Sequence, residues 1–211
     1  RKFRVAICDD HPFFREGLKA VLASCPDLRV LVEAEHGQQL IDLLREQPVD
    51  VLVLDWSLPG HDGPEILKDL RSWGITVPAL ILSAHAEDHY ALRAMRAGAA
   101  GYLSKDTDAA ALLEALRAVA NGHRYISAAL AEQLADEIVR PAAGAGHDGL
   151  SDREYQILIE FAAGRGIKEI AGRLNLSPST VGTYRMRVLS KLNLGNNADL
   201  VRYAIRNGLV E

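Results

Sequence analysis

Short runs of consecutive apolar residues alternate with helical patterns through the first 120 residues, and this alternation constrains the fold more than any other feature. The apolar runs predict five strands, at 3–8, 29–34, 49–54, 79–82 and 101–103. The intervening patterns predict helices at 12–24, 38–47, from Pro64 onward, 87–97 and 108–119. Strands without polar alternation are buried on both faces, as in a parallel sheet covered by helices. The sequence therefore predicts a doubly wound α/β domain with five parallel strands.

Beyond residue 120 the alternation of strands and helices stops. Residues 121–149 hold a helical pattern at 127–140 and then a run of small residues, Pro-Ala-Ala-Gly-Ala-Gly-His-Asp-Gly, without periodicity. Such runs are typical of linkers. The last 62 residues contain helical patterns only. We therefore predict an α/β domain at 1–120, a linker with a short helix at 121–149, and an all-α domain of four helices at 150–211.

Composition limits the class of protein. Hydrophobic residues make up 48% and charged residues 25% of the chain, which is typical of globular domains and excludes a disordered or fibrous chain. The net charge is −5 over residues 1–120 and +3 over residues 150–211, so the second region favours phosphate-bearing partners. Two cysteines cannot build a disulfide framework, and we see neither an apolar run long enough to span a bilayer nor a leader segment. We expect a cytoplasmic protein with no membrane partner.

Polar side chains follow four of the five predicted strands. Asp9 and Asp10 follow the first strand, Asp55 the third, Ser83 the fourth and Lys105 the fifth. Because the carboxyl ends of parallel strands meet at one edge of the sheet, we expect these side chains to share a site. Three neighbouring carboxylates repel one another unless a cation such as Mg²⁺ or Mn²⁺ lies among them, and a carboxylate can also attack a phosphoryl group. The pattern predicts capture of a phosphoryl group on one aspartate.

Four stretches of this region resemble a response-regulator receiver domain. They are Cys-Asp-Asp-His-Pro at 8–12, Leu-Asp-Trp-Ser-Leu-Pro-Gly at 54–60, Leu-Ser-Ala-His at 82–85 and Gly-Tyr-Leu-Ser-Lys at 101–105. The resemblance covers the whole first domain. It implies that Asp55 accepts a phosphoryl group from a sensor histidine kinase.

The resemblance also implies roles for the neighbours of Asp55. The Mg²⁺ ligands that it implies are Asp10, Asp55 and the main-chain carbonyl of Ser57. Asp9 is then expected to act on the metal through water, and Lys105 to contact the phosphoryl group. Ser83 reorients to bind that group, and Tyr102 follows it as an aromatic switch.

Other residues near this site allow two interpretations each. His85 and His89 lie four apart, so they are a metal-binding pair if helical, or two surface residues. Trp56 lines the rim of the pocket or packs in the core.

Helix signals in the last region predict a helix-turn-helix. Ser151 followed by Glu154 is a capping-box pattern, and it opens a helix that ends at Gly164. A short helix at 168–174 follows, and then Ser177 with Pro178 begins a helix at 179–192. Two helices joined by a tight turn in this way form a helix-turn-helix.

One face of the helix at 179–192 is suited to a DNA major groove. A helical wheel gathers its apolar side chains on one side, at Val181, Val188 and Leu192. Small and polar side chains point the opposite way, at Gly182, Thr183, Met186, Arg187 and Ser190. Lys191 lies on the flank, where it can meet a phosphate. Arg185 either pairs with Glu154 or contacts DNA.

Four stretches here look like a LuxR-type DNA-binding domain. They are Leu-Ser-Asp-Arg-Glu from 150, Lys-Glu-Ile-Ala from 168, Ser-Pro-Ser-Thr-Val-Gly-Thr-Tyr-Arg from 177 and Lys-Leu-Asn-Leu from 191. Together with the receiver, the chain resembles NarL/FixJ-type response regulators. The resemblance implies a bacterial transcription regulator that binds double-stranded promoter DNA as a phosphorylation-favoured homodimer, with RNA polymerase as a candidate partner. The expected DNA contacts are Lys168, Ser179, Thr180, Gly182, Thr183, Met186, Arg187, Ser190 and Lys191.

Three positions depart from the family pattern and bear on base preference. Gly182 stands where Lys is frequent, Gly166 replaces Ser or Thr at a helix start, and Tyr184 replaces a frequent His. Glycine within a helix costs up to ~1 kcal/mol relative to alanine.

Other functions remain to be weighed. A Mg²⁺-dependent phosphohydrolase could use Asp55 as its nucleophile, but haloacid-dehalogenase-type hydrolases carry a second Asp two residues later, where this chain has Ser57. A phosphate-independent DNA-binding protein would lack an acid or the lysine, and all are present. A generic helical bundle for protein contacts is the alternative for the last domain. We expect a regulator and not a metabolic enzyme.

Overall fold

The computed structural model describes residues 2–58, 62–84, 87–128, 130–132 and 146–210, without the side chains of residues 87–89 and 148. The chain divides into two compact units, Arg1–Ile138 and Val139–Glu211. None of the described helices is long and apolar enough to cross a lipid bilayer.

The first unit alternates strands and helices as the apolar runs predict. Its strands are β1 (Phe3–Cys8), β2 (Leu28–Ala34), β3 (Val51–Asp55), β4 (Ala79–Ser83) and β5 (Gly101–Ser104). Its helices are α1 (Pro12–Ala23), α2 (Gly37–Glu46), α3 (Gly63–Ser72), α4 (Glu87–Ala97) and α5 (Ala109–Ala120). Each of these predicted elements is present, and its ends differ from the predicted ones by at most two residues.

The five strands form one parallel sheet in the order β2-β1-β3-β4-β5. The strand order reverses between β1 and β3, so a crevice opens at the carboxyl ends of these two strands. This confirms the predicted doubly wound fold. The central strands are buried because helices cover both faces: every residue of β3 and β4 is buried, and so is all of β1 except Arg4.

Close packing fixes the chain where β3 gives way to α3. Asp62 caps α3 in a capping box with Glu65, which fixes the start of the helix. The main-chain N–H of Gly63 donates to the carbonyl of Trp56 at 2.8 Å. A β-carbon at Gly63 would lie 2.7 Å from the carbonyl oxygen of Asp55, so only glycine allows this approach.

All regular secondary structure in the described part of the second unit is helical. After a 3₁₀ turn at Gly146–Gly149 come α6 (Asp152–Ala162), α7 (Ile167–Arg173), α8 (Pro178–Lys191) and α9 (Asn197–Arg206). Ser151 and Glu154 form the predicted capping box, and the Ser177 hydroxyl accepts from the N–H of Thr180 at 3.1 Å. The four predicted helices are therefore present, joined by short turns. Their shared core includes Ile157, Leu158, Ile170, Val181, Val188 and Leu200.

The segment after α5 begins along the edge of the sheet. The N–H of Tyr125 donates to the carbonyl of Ala100 at 2.9 Å, and Tyr125 forms a parallel bridge with Gly101. Residues 128 and 130–132 are helical. Ser127, the first residue of the helix predicted at 127–140, precedes the helical residues. Residues 129 and 133–140 of that prediction, and residues 141–145 of the small-residue run, lie outside the described residues.

Candidate functional site

The carboxyl ends of the strands bring the predicted polar residues together. Asp9 directly follows β1, Asp55 ends β3 and Ser83 ends β4. All three are buried, with 2%, 3% and 1% of their surface exposed. Burying a carboxylate is costly unless a cation or hydrogen-bond donors compensate its charge. The cluster therefore requires a positive partner.

Lys105 supplies that positive charge from the end of β5. Its Nζ lies 2.7 Å from Oδ2 of Asp9 and 2.9 Å from Oδ2 of Asp55. Its main-chain N–H donates to the carbonyl of Ser83 at 2.7 Å, which fixes the loop beside β4. Its ammonium also lies 4.5 Å from the centre of the Phe14 ring. The lysine is thus held between two buried carboxylates.

The electrostatics of the cluster favour positive charge. Burial, followed by the charge of Asp9, raises the pKa of Asp55 to about 6, although Lys105 opposes the shift. Burial lowers the pKa of Lys105, but the charges of Asp55 and Asp9 outweigh it and raise that pKa overall. At neutral pH both Asp55 and Lys105 are therefore mainly charged. Burial of the ionised Asp55 costs free energy, and a bound cation would reduce that cost.

Four side chains converge closely enough to hold a metal ion. One ligand atom each from Asp9, Asp10, His11 and Asp55 lies within 4.8 Å of the others. Carboxylate oxygens are the ligands that Mg²⁺ and Mn²⁺ prefer. The N–H of Ser57 donates to Oδ1 of Asp55 at 3.3 Å, so the main chain after β3 also faces the cluster. These residues fit a hard divalent cation.

His11 is a member of the cluster that the sequence did not single out. Its Nδ1 lies 2.9 Å from Oδ1 of Asp10 and 3.3 Å from Oδ1 of Asp9. Its main-chain N–H donates to Asp9 at 2.8 Å. The available signal was its position directly after two aspartates at a strand end.

Trp56 packs in the core and does not line the rim of the pocket. It is fully buried, and its ring meets Tyr90 edge-on at 5.1 Å and Tyr102 at 6.3 Å. Tyr102 is also fully buried. The suggested pair of His85 and His89 falls outside the described side chains.

The outward face of α8 matches the sequence prediction. Among the predicted contacts, the exposed side chains on α8 are Ser179, Thr183, Met186, Arg187, Ser190 and Lys191, and Lys168 is exposed on α7. Thr180 and Gly182 are half-buried. Val181, Val188 and Leu189 form the buried side of α8. The helix therefore has one face packed in the second unit and one facing solvent.

Two cations of α8 bind neighbouring helices. Lys191, predicted to meet DNA, lies 2.6 Å from Oε2 of Glu154 in α6. That hydrogen bond helps to lower the pKa of Glu154, although burial opposes the shift. Arg185 donates to the side chain of Asn197 at the start of α9. Of the two alternatives for Arg185, pairing with Glu154 is thus wrong, since Lys191 takes that position.

Two family models match the chain, one for each unit. Residues 5–117 match the response regulator receiver domain, and residues 148–204 match the bacterial regulatory proteins of the luxR family. A receiver followed by a DNA-binding helix-turn-helix defines a class of protein, the transcription-regulating response regulators of two-component systems. The chain belongs to this family. The alternatives of a phosphohydrolase and of a generic helical bundle are therefore set aside.

Relatives match over nearly the whole chain. Response regulator UvrY of Escherichia coli is 36% identical over 97% of this chain and 94% of its own length. Response regulator GacA of Pseudomonas aeruginosa is 35% identical over 99% and 98%. A structure of RcsB from Salmonella enterica serovar Typhimurium, bound to promoter rprA with a phosphomimetic, is 26% identical with a TM-score of 0.62 and covers 96% of this chain and 98% of that one.

Proposed function

We propose that Asp55 is the phosphoacceptor of this response regulator and that its phosphorylation controls dimerisation and sequence-specific DNA binding. The observation that carries the proposal is the position of the Lys105 ammonium, 2.7 Å from Asp9 and 2.9 Å from Asp55 within a buried carboxylate cluster. A cation at this point can neutralise an oxygen of an incoming phosphoryl group. The donor is a phosphohistidine of a sensor histidine kinase.

Transfer forms one bond and breaks another. An oxygen of Asp55 attacks phosphorus, the bond from phosphorus to the imidazole nitrogen breaks, and the electron pair returns to the imidazole. Lys105 then contacts the phosphoryl group on Asp55. The receiver in this way catalyses its own phosphorylation, and water later hydrolyses the acyl phosphate to free Asp55 and inorganic phosphate.

Mg²⁺ or Mn²⁺ fits beside Asp55. Asp10, Asp55 and the main-chain carbonyl of Ser57 would hold it, with Asp9 acting through water. The bound ion supplies positive charge for the phosphoryl oxygens.

Two buried residues carry the response away from Asp55. Ser83 ends β4 beside the site, and Tyr102 lies in β5 next to it. The Ser83 hydroxyl turns to donate to the phosphoryl group, and Tyr102 follows. A receiver exists in two populations, and phosphorylation shifts their balance.

The second unit binds DNA through α8. Its outward face and Lys168 approach double-stranded promoter DNA, and two copies occupy paired half-sites. RcsB of Salmonella enterica is bound to promoter rprA in its structure, which supports promoter DNA as the ligand. Tethering two weak units raises their effective concentration on DNA. The domains are proposed at 1–120 and 150–211 with the linker between them, and RNA polymerase is a further proposed partner. Of the predicted contacts, Lys191 is supported least, since Glu154 holds it.

Intact mass after incubation with acetyl phosphate and Mg²⁺ tests the proposal. The wild-type chain should gain the mass of one phosphoryl group, and Asp55→Ala should gain none. Circular dichroism shows whether both proteins are folded. A folded wild-type chain that stays unmodified, or an Asp55→Ala chain that is modified equally, would contradict the proposal.

A further inference from the structure

Most cations of the recognition helix α8 are held by the protein itself. Lys191 binds Glu154 and Arg185 binds Asn197. Arg187 lies on the outward face, with its guanidinium 5.6 Å from the centre of the Tyr184 ring. Within α8, which the structure describes completely, Arg187 is therefore the one cation directed to the outward face. Charge alone gives this face little with which to distinguish bases.

The hydroxyl groups near the start of α8 are also engaged. The Ser177 hydroxyl lies 2.8 Å from that of Ser179 and 2.7 Å from that of Thr180. Thr183 donates its hydroxyl to the carbonyl of Ser179 at 3.1 Å. Each of these hydroxyl groups already has a hydrogen-bond partner in the protein, so fewer donors remain for base edges.

Met186 is the large apolar side chain in the middle of this polar face. It is 59% exposed, between Thr183 one turn before and Ser190 one turn after. A helical side chain tends to lean over the turn that precedes it, and for Met186 that turn contains Gly182, four residues earlier. A β-carbon at Gly182 would meet no atom within 4 Å, so the space over that residue is open. The thioether therefore has room to lie along the helix surface.

We infer that Met186 is a specificity-determining residue that recognises the 5-methyl group of thymine in the major groove. The inference rests on the proposed binding of DNA by α8. The thymine methyl is the apolar feature that the major groove presents, and apolar side chains recognise it by contact. Methionine is flexible and polarisable, so it can pack against that methyl group from the open space beside Gly182. The inference thus predicts an A·T pair, with its thymine at a fixed position, in each half-site.

The test compares thymine with uracil, which differ only by this methyl group. The full-length protein, treated with Mg²⁺ and beryllofluoride, first selects a binding site from a random duplex library. Each thymine of the selected site is then replaced by deoxyuridine, and affinity is measured by fluorescence anisotropy. We expect roughly three- to fivefold weaker binding at one or two positions, the loss of one buried methyl contact.

Variants of Met186 separate its contact from general DNA binding. Met186→Ala should bind the thymine site more weakly and lose the response to deoxyuridine, whereas Met186→Leu should keep it because the side chain stays apolar. Lys168→Ala is the control, since removal of a phosphate contact weakens binding to every duplex alike and lowers its salt dependence. Circular dichroism checks that each variant is folded.

Two results would overturn the inference, and they are distinguishable. If the protein selects a site and Met186→Ala responds to deoxyuridine as the wild type does, Met186 does not read the methyl group. If the wild-type protein selects no site and binds no duplex, the proposed DNA-binding function itself fails.

Discussion

The two units place their functional charges in opposite ways. In the receiver, the buried Asp9 and Asp55 and the half-buried Lys105 form one cluster, although Asp9 and Lys105 are 96 residues apart in sequence. In the DNA-binding unit, the exposed residues of α8 come from a single helix, and its packed side is separate from them. The receiver site depends on the carboxyl ends of four strands, β1, β3, β4 and β5, lying side by side, whereas the DNA-binding face depends on one helix being formed. Substitutions in the two units should therefore differ in size and even in sign.

The largest expected effect is at the centre of the buried cluster. Asp55→Asn should abolish phosphate-stimulated DNA binding, because an amide cannot form the acyl phosphate. Binding of a promoter duplex is measured by gel shift with and without acetyl phosphate and Mg²⁺. Basal binding by α8 should remain. If phosphate stimulates the variant as much as the wild type, the mechanism fails.

Replacing a lysine should lower the free energy of unfolding more in the receiver than in the DNA-binding unit. Lys105 is 14% exposed and binds two buried carboxylates, so Lys105→Met should lower the free energy of unfolding by about 3 kcal/mol without divalent cations. Lys191 is 46% exposed and binds one carboxylate, so Lys191→Met should cost about 1 kcal/mol or less. Urea denaturation of both variants measures the difference. Equal losses would mean that burial does not set the strength of these pairs.

The raised pKa of Asp55 predicts an unusual dependence of stability on pH. The folded chain binds a proton at Asp55 more tightly than the unfolded chain does. The stabilisation of the fold by this proton is complete below pH 3.8 and is lost as the pH rises through about 6. At pH 7.5 without divalent cations, Asp55→Asn should therefore raise the free energy of unfolding by roughly 1–3 kcal/mol. At pH 4 the two proteins should be nearly equal.

Urea denaturation at the two pH values tests this prediction, and excess Mg²⁺ is the control. The ion should stabilise the wild type at pH 7.5 and so reduce the advantage of the variant. A difference between the two proteins that stays constant from pH 4 to pH 7.5 would be evidence against a raised pKa.

The smallest effects come from one substitution made in both units. Gly63→Ala should destabilise the receiver by about 1–2 kcal/mol, because the added carbon meets the main chain of Asp55 and Trp56. Gly182→Ala should stabilise the second unit by about 0.5–1 kcal/mol, since the added carbon lies in open space within a helix. Thermal denaturation followed by circular dichroism gives both signs. If both substitutions changed the free energy of unfolding in the same direction, the proposed difference in packing between the two glycine sites would be wrong.

The local sequence pattern predicted the strands and helices, and the strand order explains why the site residues lie together. The apolar runs predicted all five strands, and because the strands are parallel, Asp9, Asp55 and Lys105 had to meet at one edge. The outward face of α8 followed from helical periodicity alone. These features depend on spacing along the chain, which a sequence displays directly.

Contacts between elements could not be read in the same way. The pairing of Lys191 with Glu154, and of Arg185 with Asn197, depends on how three helices cross. The inward packing of Trp56 against Tyr90 and Tyr102 depends on the space between α4 and β5. The approach of His11 to two carboxylates depends on the loop after β1. Spacing does not determine such geometry.

The bridge between Tyr125 and Gly101 has a consequence for how the protein behaves at high concentration. β5 is the last strand on its side of the sheet and has four residues, so its outer edge carries main-chain groups that could pair with another chain. Tyr125 lies at the start of that edge, where it forms a parallel bridge with Gly101 and its N–H donates to the carbonyl of Ala100. A short, partly covered edge is a poor template for intermolecular strand pairing. The segment after α5 thus covers the start of the β5 edge, which we expect to disfavour strand pairing with another chain.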